Sequence, residues 1–258
     1  MSGGRLDIVG LGPGPDIWLT QEVPGILEAA TDLVGYAPYI DRIPVRPGQN
    51  RHASDNRVEL DRARHALELA QNGARVALVS GGDPGVFAMA AAAFEAIENG
   101  EPAWRGLAVE VHPGISAMLA AAARLGAPLG HDFCAISLSD NLKPWPLVEK
   151  RIRAAAEADF VMAFYNPASK ARPQRIHDAF ALLRACKPGE TVVALARAVG
   201  RPDERIELTT LAEAPLERVD MSTLVMVGSQ ETRLLRRADG GAWIYTPRSS
   251  SASKTPTS

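Results

Sequence analysis

Short apolar runs alternate with longer amphipathic stretches along most of the chain. Runs of Val, Ile and Leu bounded by Gly, Pro or Asp predict strands at residues 6–11, 75–80, 108–113, 133–138, 160–165, 191–196, 205–211 and 223–228. Between them, apolar positions three or four apart predict helices at residues 56–71, 85–98, 115–125, 145–158 and 173–185. This alternation predicts an α/β fold whose sheets are covered on both faces and are largely parallel in at least the first half.

The domain organisation is indicated by a break in this alternation near the middle of the chain. Residues 137–146 are rich in Ser, Asp and Asn and contain two prolines. We therefore predict an N-terminal α/β domain over residues 1–135 and a C-terminal α/β domain over residues 136–240. Residues 241–258 end in a Ser/Thr/Pro-rich stretch that cannot bury enough apolar surface to offset its ordering entropy, so we predict a disordered tail.

Composition and charge exclude several classes of protein. The formal net charge is -2 and the pI is about 6.2, which gives no basic field for nucleic acid. Cys134 and Cys186 form no CxxC pair, so neither a disulfide framework nor a zinc knot is indicated and a reducing cytoplasm fits. Without a signal sequence or a run of about 18 apolar residues, we expect a protein that is neither exported nor membrane-bound.

Three glycine-containing turns follow predicted strands. They read VGLGPGPD from residue 9, SGGDPGVF from residue 80 and HPGISAM from residue 112. Glycine permits a close approach of backbone to ligand, and the carboxyl edge of an α/β sheet is where ligands bind. The GxGxxG pattern of nicotinamide sites is not met, since Pro15 stands where its third glycine would be. Each turn alone could be a tight connection, with Asp83 or Ser116 as a helix N-cap.

Taken in this order and spacing, VGLGPG, GGDPGVF and PGISA resemble the tetrapyrrole methylase family, over about residues 6–234. The resemblance implies two α/β domains with a cofactor cleft between them, S-adenosyl-L-methionine as cofactor, S-adenosyl-L-homocysteine as product and a homodimer. By position it implies cofactor contacts at Pro13, Gly82, Asp83, Val86, Ser116 and Ala117 in the first domain, and at Tyr165, Asn166 and residues 196–199, including Ala196 and Val199, in the second.

Two segments resemble one branch of that family. Residues 34–43, VGYAPYIDRI, and residues 131–172 look like the branch that methylates C-17 of precorrin-3B and contracts the ring to precorrin-4 in cobalamin (vitamin B12) biosynthesis. Residues 52–63 depart from the loop expected there. The alternatives are methylation at another position, a cobalt-containing substrate, diphthine synthase-like protein methylation, or a nucleotide-binding module without enzymatic activity. That last class would not need Tyr165 and Asn166.

The resemblance also bears on catalysis. A sulfonium methyl is already activated, so its transfer needs in-line geometry and a dry site more than an acid or base. Ring contraction does need proton transfer, and the polar loop at 137–145 offers Asp140 as a general base with Ser139 and Lys143 beside it. The alternative is a solvated linker whose Asp and Asn residues make turns.

A tetrapyrrole carries many carboxylates, which predicts Arg and Lys side chains at its site. The candidates, each of which could equally be an ordinary surface charge, are Arg42, Arg51, Arg57, Lys143, Lys170, Arg172 and Arg197. The histidines show no HxxxH or HxH spacing, so no metal site is predicted; they are His52, His65, His112, His131 and His177. His131 lies beside Asp132 and could orient a proton-transfer group.

Overall fold

The computed structural model describes residues 4–55, 58–169 and 172–249. It divides into two compact units, Met1–Ala117 and Met118–Ser258. The sequence predicts this boundary between residues 135 and 136. The difference arises because residues 126 and 127 pair with a strand near the end of the chain, which joins the segment before residue 135 to the second unit.

The first unit is built on one parallel sheet. Its elements are β1 Arg5–Gly10, α1 Val23–Ala29, β2 Asp32–Tyr36, α2 Ala37–Ile40, β3 Asn50–Ser54, α3 Glu59–Gln71, β4 Arg75–Ser80, α4 Met89–Asn99 and β5 Ala108–His112. The strand order is β3-β2-β4-β1-β5, and every pair is parallel. The prediction of a parallel sheet in the first half is confirmed.

Both faces of this sheet are covered, as the apolar runs predict. Leu6 and Ile8 of β1 pack with α3 and α4 on one face, while Val9 packs with Val23 and Leu27 of α1 on the other. Because β1 and β4 are central and buried on both sides, their sequences are nearly continuous apolar runs. The parallel arrangement brings the carboxyl ends of β1, β4 and β5 to one edge of the sheet.

The second unit has a mixed sheet. Its elements are α5 Ala117–Leu125, β6 Gly126–Ala127, β7 Phe133–Ser137, α6 Trp145–Glu157, β8 Val161–Tyr165, α7 Arg175–Arg184, β9 Val192–Arg197, β10 Arg205–Thr210, β11 Thr223–Val227, β12 Arg233–Arg236 and β13 Ala242–Tyr245. In the order β10-β9-β11-β8-β7, only β7 and β8 pair in parallel. Helices α6 and α7 supply Ile152 and Phe180 to its core.

The prediction of a disordered tail over residues 241–258 is wrong for its first part. β13 pairs with β12 and with β6 in a small third sheet. Ile244 is buried there, and the buried hydroxyl of Thr246 donates to the carbonyl of Pro128 at 2.6 Å. Residues Ala242–Tyr245, AWIY, are a continuous apolar run long enough for one strand. The Ser/Thr-rich composition of the residues that follow conceals this run in the sequence. Residues 250–258 lie outside the described residues.

A buried carboxylate at the start of β2 makes stability depend on pH. Asp32 accepts hydrogen bonds from Thr31, Asn50 and His52 at 2.7, 3.0 and 2.9 Å. Burial alone would raise the pKa of Asp32, but these hydrogen bonds hold it below its usual range. A depressed carboxyl pKa contributes stability above its unfolded value, about 3.9, and that contribution is lost as the pH falls through the folded value.

We therefore expect the urea midpoint of the protein to fall between pH 5 and pH 3, and to fall less steeply in Asp32→Asn. The variant should also lose about 1–3 kcal/mol at pH 7, because a buried carboxylate acceptor is replaced. Asp61→Asn is the matched control, since its side chain is exposed and, among the described residues, pairs with Arg64 on the same helix. Equal pH slopes in wild type and Asp32→Asn would contradict the prediction.

Candidate functional site

The three glycine-containing turns of the first unit meet at the carboxyl edge of its sheet. Gly12 and Gly82 each donate their N–H to the other's carbonyl at 3.1 Å. A Cβ on Gly10 would lie 2.8 Å from the nitrogen of Gly114, and a Cβ on Gly114 would overlap the carbonyl oxygen of Gly82. The backbones are therefore in direct contact, which explains glycine at positions 10 and 114, whereas the positive φ of 69° explains glycine at position 82. The sequence-based expectation that the turns converge is confirmed.

Asp83 joins the second turn to the third. Its Oδ1 accepts the N–H of Gly85 at 2.8 Å and its Oδ2 accepts the N–H of Gly114 at 3.0 Å. The helix after this turn begins only at Met89, so Asp83 is not its N-cap. The carboxylate thus holds two turns together, and a direct contact between Asp83 and a ligand stays a prediction.

Arg42 contacts the first turn. Its Nη1 donates to the carbonyl of Gly12 at 2.9 Å, and its Nη2 donates to those of Leu11 and Gly14 at 2.8 and 2.7 Å. Arg42 was a candidate for a substrate carboxylate, and the structure places its guanidinium on backbone carbonyls instead.

Two other basic candidates, Arg51 and Arg197, are also engaged by neighbouring groups, while Arg57 and Lys170 lie outside the described residues. Arg51 donates to the carbonyl of Ile43 at 3.1 Å and to that of Ile40. Arg197 pairs with Asp203 and Asp220 at 2.7 and 2.9 Å. For Arg51 and Arg197 these contacts favour a structural role.

Backbone strain is concentrated in the predicted cofactor segments. Among the described residues, four that are not glycine have positive φ: Phe87 at 52°, Asp159 at 58°, Asn166 at 52° and Ala198 at 50°. Asp159 follows the last turn of α6, where a left-handed residue is common. The other three lie in the segments predicted to contact the cofactor. Such conformations are costly and gather at ligand sites, so within each unit the strain falls in segments predicted to contact a ligand.

The residues predicted to contact the cofactor differ in how far they are buried. Pro13, Val86 and Ala117 are half-buried, whereas the side chain of Ser116 is buried. In the second unit, Ala196 and Val199 are also buried.

Two further candidates of the second unit take part in hydrogen bonds. The hydroxyl of Tyr165 accepts the N–H of Met118, in the first turn of α5, at 3.0 Å. Asn166 donates from Nδ2 to Ser137 Oγ at 2.9 Å. These contacts fix both side chains at the carboxyl ends of β7 and β8.

The predicted catalytic loop forms an ion-pair cluster. Asp140 accepts from Arg172 Nη1 at 3.0 Å and from Arg175 Nε and Nη2 at 2.9 and 2.6 Å, while Ser139 Oγ accepts from Arg172 at 2.9 Å. Burial would raise the pKa of Asp140, but the hydrogen bonds from both arginines hold it below its usual range. Such a carboxylate is a poor proton acceptor at neutral pH, so the geometry favours an anchor over a general base. Burial, with repulsion from Arg151, lowers the pKa of Lys143.

One group of side chains in the described ranges could in principle hold a cation: Asp7, Glu110 and His112. Arg5 already donates to Asp7 at 2.6 Å and to Glu110 at 2.7 Å, and His112 bonds Asp7 at 2.8 Å. An arginine at the centre makes this an ion-pair network, and we propose no metal for it. His131 and Asp132 approach to 3.7 Å on the surface.

Comparison with known proteins decides the family. The family model described as Tetrapyrrole (Corrin/Porphyrin) Methylases matches residues 5–215. The chain belongs to the tetrapyrrole methylases. A precorrin-3B C(17)-methyltransferase of Sinorhizobium sp is 55% identical over 245 residues, which cover 95% of this chain and 96% of that protein. The predicted family and the prediction of a methyltransferase are confirmed.

Solved structures of tetrapyrrole methylases agree with this fold. A crystal structure of the methyltransferase CobJ matches with a TM-score of 0.90 at 52% identity, covering 95% of this chain and 100% of that one. A uroporphyrin-III C-methyltransferase from Thermus thermophilus, in complex with S-adenosylhomocysteine, matches with a TM-score of 0.68 at 24% identity, covering 87% and 97%. The second likeness concerns the fold alone.

Two site features of this methylase were missed by sequence reasoning. The first is the role of Arg42, which lies between 28 and 31 residues from the carbonyls it binds. The second is the role of Asp83 as a link between turns, since the N-cap pattern suggested a purely local contact. A signal for the first did exist: in GPGP, prolines follow Gly12 and Gly14, so the turn has more carbonyl acceptors than N–H donors.

Proposed function

We propose that this methylase transfers a methyl group from S-adenosyl-L-methionine to C-17 of precorrin-3B and contracts the ring to give precorrin-4 in cobalamin biosynthesis. The observation that carries the proposal is the 55% identity, over 95% of the chain, to a protein named for that reaction. The 52% identity to CobJ over the same share of the chain supports it.

The cofactor proposal is supported by the close packing of the three glycine-containing turns. Three backbones packed against one another at Gly10, Gly82 and Gly114 leave little room for side chains, so backbone groups can approach a ligand closely. Strained backbone at Phe87, and in the second unit at Asn166 and Ala198, supports each of these segments as a ligand contact. When bound, S-adenosyl-L-methionine supplies an activated methyl group. The residues of this chain would bind it, orient it and exclude water.

The tetrapyrrole proposal is supported by the polar cluster after β7 and β8. Asp140 and Ser139 together use the two donors of Arg172 Nη1, which fixes the plane of that guanidinium. A guanidinium held in one plane is suited to pair with a carboxylate through two parallel hydrogen bonds. We propose that Arg172 binds a carboxylate of the substrate, with Asp140 orienting it.

The test is incubation of the purified protein with S-adenosyl-L-methionine and precorrin-3B, followed by mass spectrometry and absorption spectroscopy. We expect the gain of one methyl group together with the spectrum of a ring-contracted product. Methyl gain without contraction, or turnover of only a cobalt-containing analogue or another precorrin, would overturn the substrate assignment. If no tetrapyrrole is methylated but S-adenosylhomocysteine binds, the cofactor proposal survives alone.

Location and assembly belong to the same proposal. In the part of the chain that the structure describes, no helix is sufficiently long and apolar to span a membrane. Cys134 and Cys186 are both free thiols, as a reducing cytoplasm would keep them. We propose a cytoplasmic homodimer, with a small tetrapyrrole as substrate and no nucleic-acid partner. Light scattering of the purified protein tests the dimer, and a monomeric mass at working concentration would contradict it.

A further inference from the structure

Arg42 is the basic side chain most closely tied to the glycine-containing turns. It follows α2 and lies in the segment 34–43 by which the chain resembles the C-17 branch of its family. Its guanidinium binds three carbonyls of the first turn, at Leu11, Gly12 and Gly14, all within 2.9 Å. Contacts this short between a cation and carbonyl oxygens are charge-assisted, and each is stronger than a neutral hydrogen bond.

The turn needs such a partner because of its sequence. Prolines at 13 and 15 remove two N–H groups, and the N–H groups of Leu11 and Gly12 are used by the carbonyls of Ser80 and Gly82. The carbonyls of Leu11, Gly12 and Gly14 must therefore find donors outside the turn. Arginine offers five N–H donors in a planar fork and accepts nothing, which matches a turn that has acceptors in excess.

Arg42 thereby fixes more than one turn. The carbonyl of Gly12 accepts both Arg42 Nη1 and the N–H of Gly82, so the first turn is held against the second. Asp83 then holds the second against the third through the N–H of Gly114. Arg42 therefore contacts the first turn, the first turn contacts the second, and the second contacts the third. A displacement of the first turn would displace the other two.

We propose that Arg42 is a positioning residue for S-adenosyl-L-methionine, which sets the orientation of the first turn without contacting the tetrapyrrole. This inference rests on the proposed cofactor. It replaces the expectation that Arg42 binds a substrate carboxylate, and the two roles predict different kinetics. A positioning role raises KM for S-adenosyl-L-methionine, whereas a carboxylate-binding role raises KM for the tetrapyrrole.

The experiment measures the Kd of S-adenosylhomocysteine by calorimetry and both KM values for wild type, Arg42→Met and Arg42→Lys. For Arg42→Met we expect the Kd of S-adenosylhomocysteine and the KM of S-adenosyl-L-methionine to rise roughly 10- to 100-fold, because the first turn would be misplaced. The KM of the tetrapyrrole should stay within about twofold of the wild-type value. Arg42→Lys should be intermediate, because an ammonium cannot reach all three carbonyls in the plane of a guanidinium.

Arg184→Met is the matched control. Arg184 also donates to backbone carbonyls, those of Leu211 and Ala212 at 2.9 and 3.4 Å, but both lie in the second unit. Its removal should lower the melting temperature without changing the Kd of S-adenosylhomocysteine.

The outcomes separate the inference from the function it rests on. If wild type binds no S-adenosylhomocysteine, the cofactor proposal fails. If wild type binds it and folded Arg42→Met binds as tightly, or if only the tetrapyrrole KM rises, the positioning role is wrong. Should Arg42→Met fail to fold, Arg42→Lys decides, and wild-type affinity in that variant would likewise overturn the inference.

Discussion

Gly114→Ala is expected to abolish measurable S-adenosylhomocysteine binding while leaving the secondary structure intact. A Cβ at this position would overlap the carbonyl oxygen of Gly82 and come within 3.0 Å of the Cα of Gly10. Both neighbours are backbone atoms, so no side-chain rotation relieves the overlap and the three turns must separate. We expect a loss of affinity of roughly 100-fold or more, because displacements near 1 Å at such sites have effects of that size.

The control for this substitution is Gly25→Ala. Gly25 lies inside α1, and an added Cβ there meets nothing within 4 Å. Alanine should stabilise that helix by about 0.5–1 kcal/mol and leave cofactor affinity unchanged. Calorimetry gives the affinity and circular dichroism reports the fold. Tight binding by a folded Gly114→Ala protein would mean that the three turns are not the cofactor site.

The sequence predicted the strands with continuous apolar runs because burial on both faces produces that pattern. β1 and β4 are such strands. β3, Asn50–Ser54, was missed, since it is an edge strand whose residues are half-buried or exposed and mostly polar, and it becomes regular through its pairing with β2. The antiparallel pairing in the second sheet could not be predicted either, because the hydrophobic periodicity of a strand does not show the direction of the strand beside it.

In the site, as in the fold, the local sequence predicts some features, while others depend on contacts between residues far apart in the chain. The position of glycine-containing turns after successive strands predicted that the turns converge, and close backbone approach explains glycine at positions 10 and 114. The partners of charged side chains could not be predicted in this way. Asp140 meets Arg172 and Arg175 across 32 and 35 residues, and sequence reasoning therefore treated its carboxylate as free to act as a base.

Asp140→Asn distinguishes a general base from an anchor. As an anchor, Asp140 fixes Arg172 for the substrate, so the variant should raise the tetrapyrrole KM by about tenfold to a hundredfold, from the loss of hydrogen bonds to charged groups. The pH dependence of kcat should keep its shape, because a carboxylate whose pKa is held low by two arginines does not titrate near neutrality. If Asp140 is instead the general base, the substitution should abolish ring contraction and remove the acid limb of the pH profile of kcat.

A double variant and a control complete this test. If Asp140 acts through Arg172, Asp140→Asn combined with Arg172→Met should be little worse than Arg172→Met alone, because residues that act as one unit are not additive. Asp178→Asn is the control: Asp178 accepts from Arg175 at 3.0 Å but has no contact with Arg172 among the hydrogen bonds of the described residues. It should keep a wild-type KM. Additive effects of Asp140→Asn and Arg172→Met, with a lost acid limb, would restore Asp140 as the base.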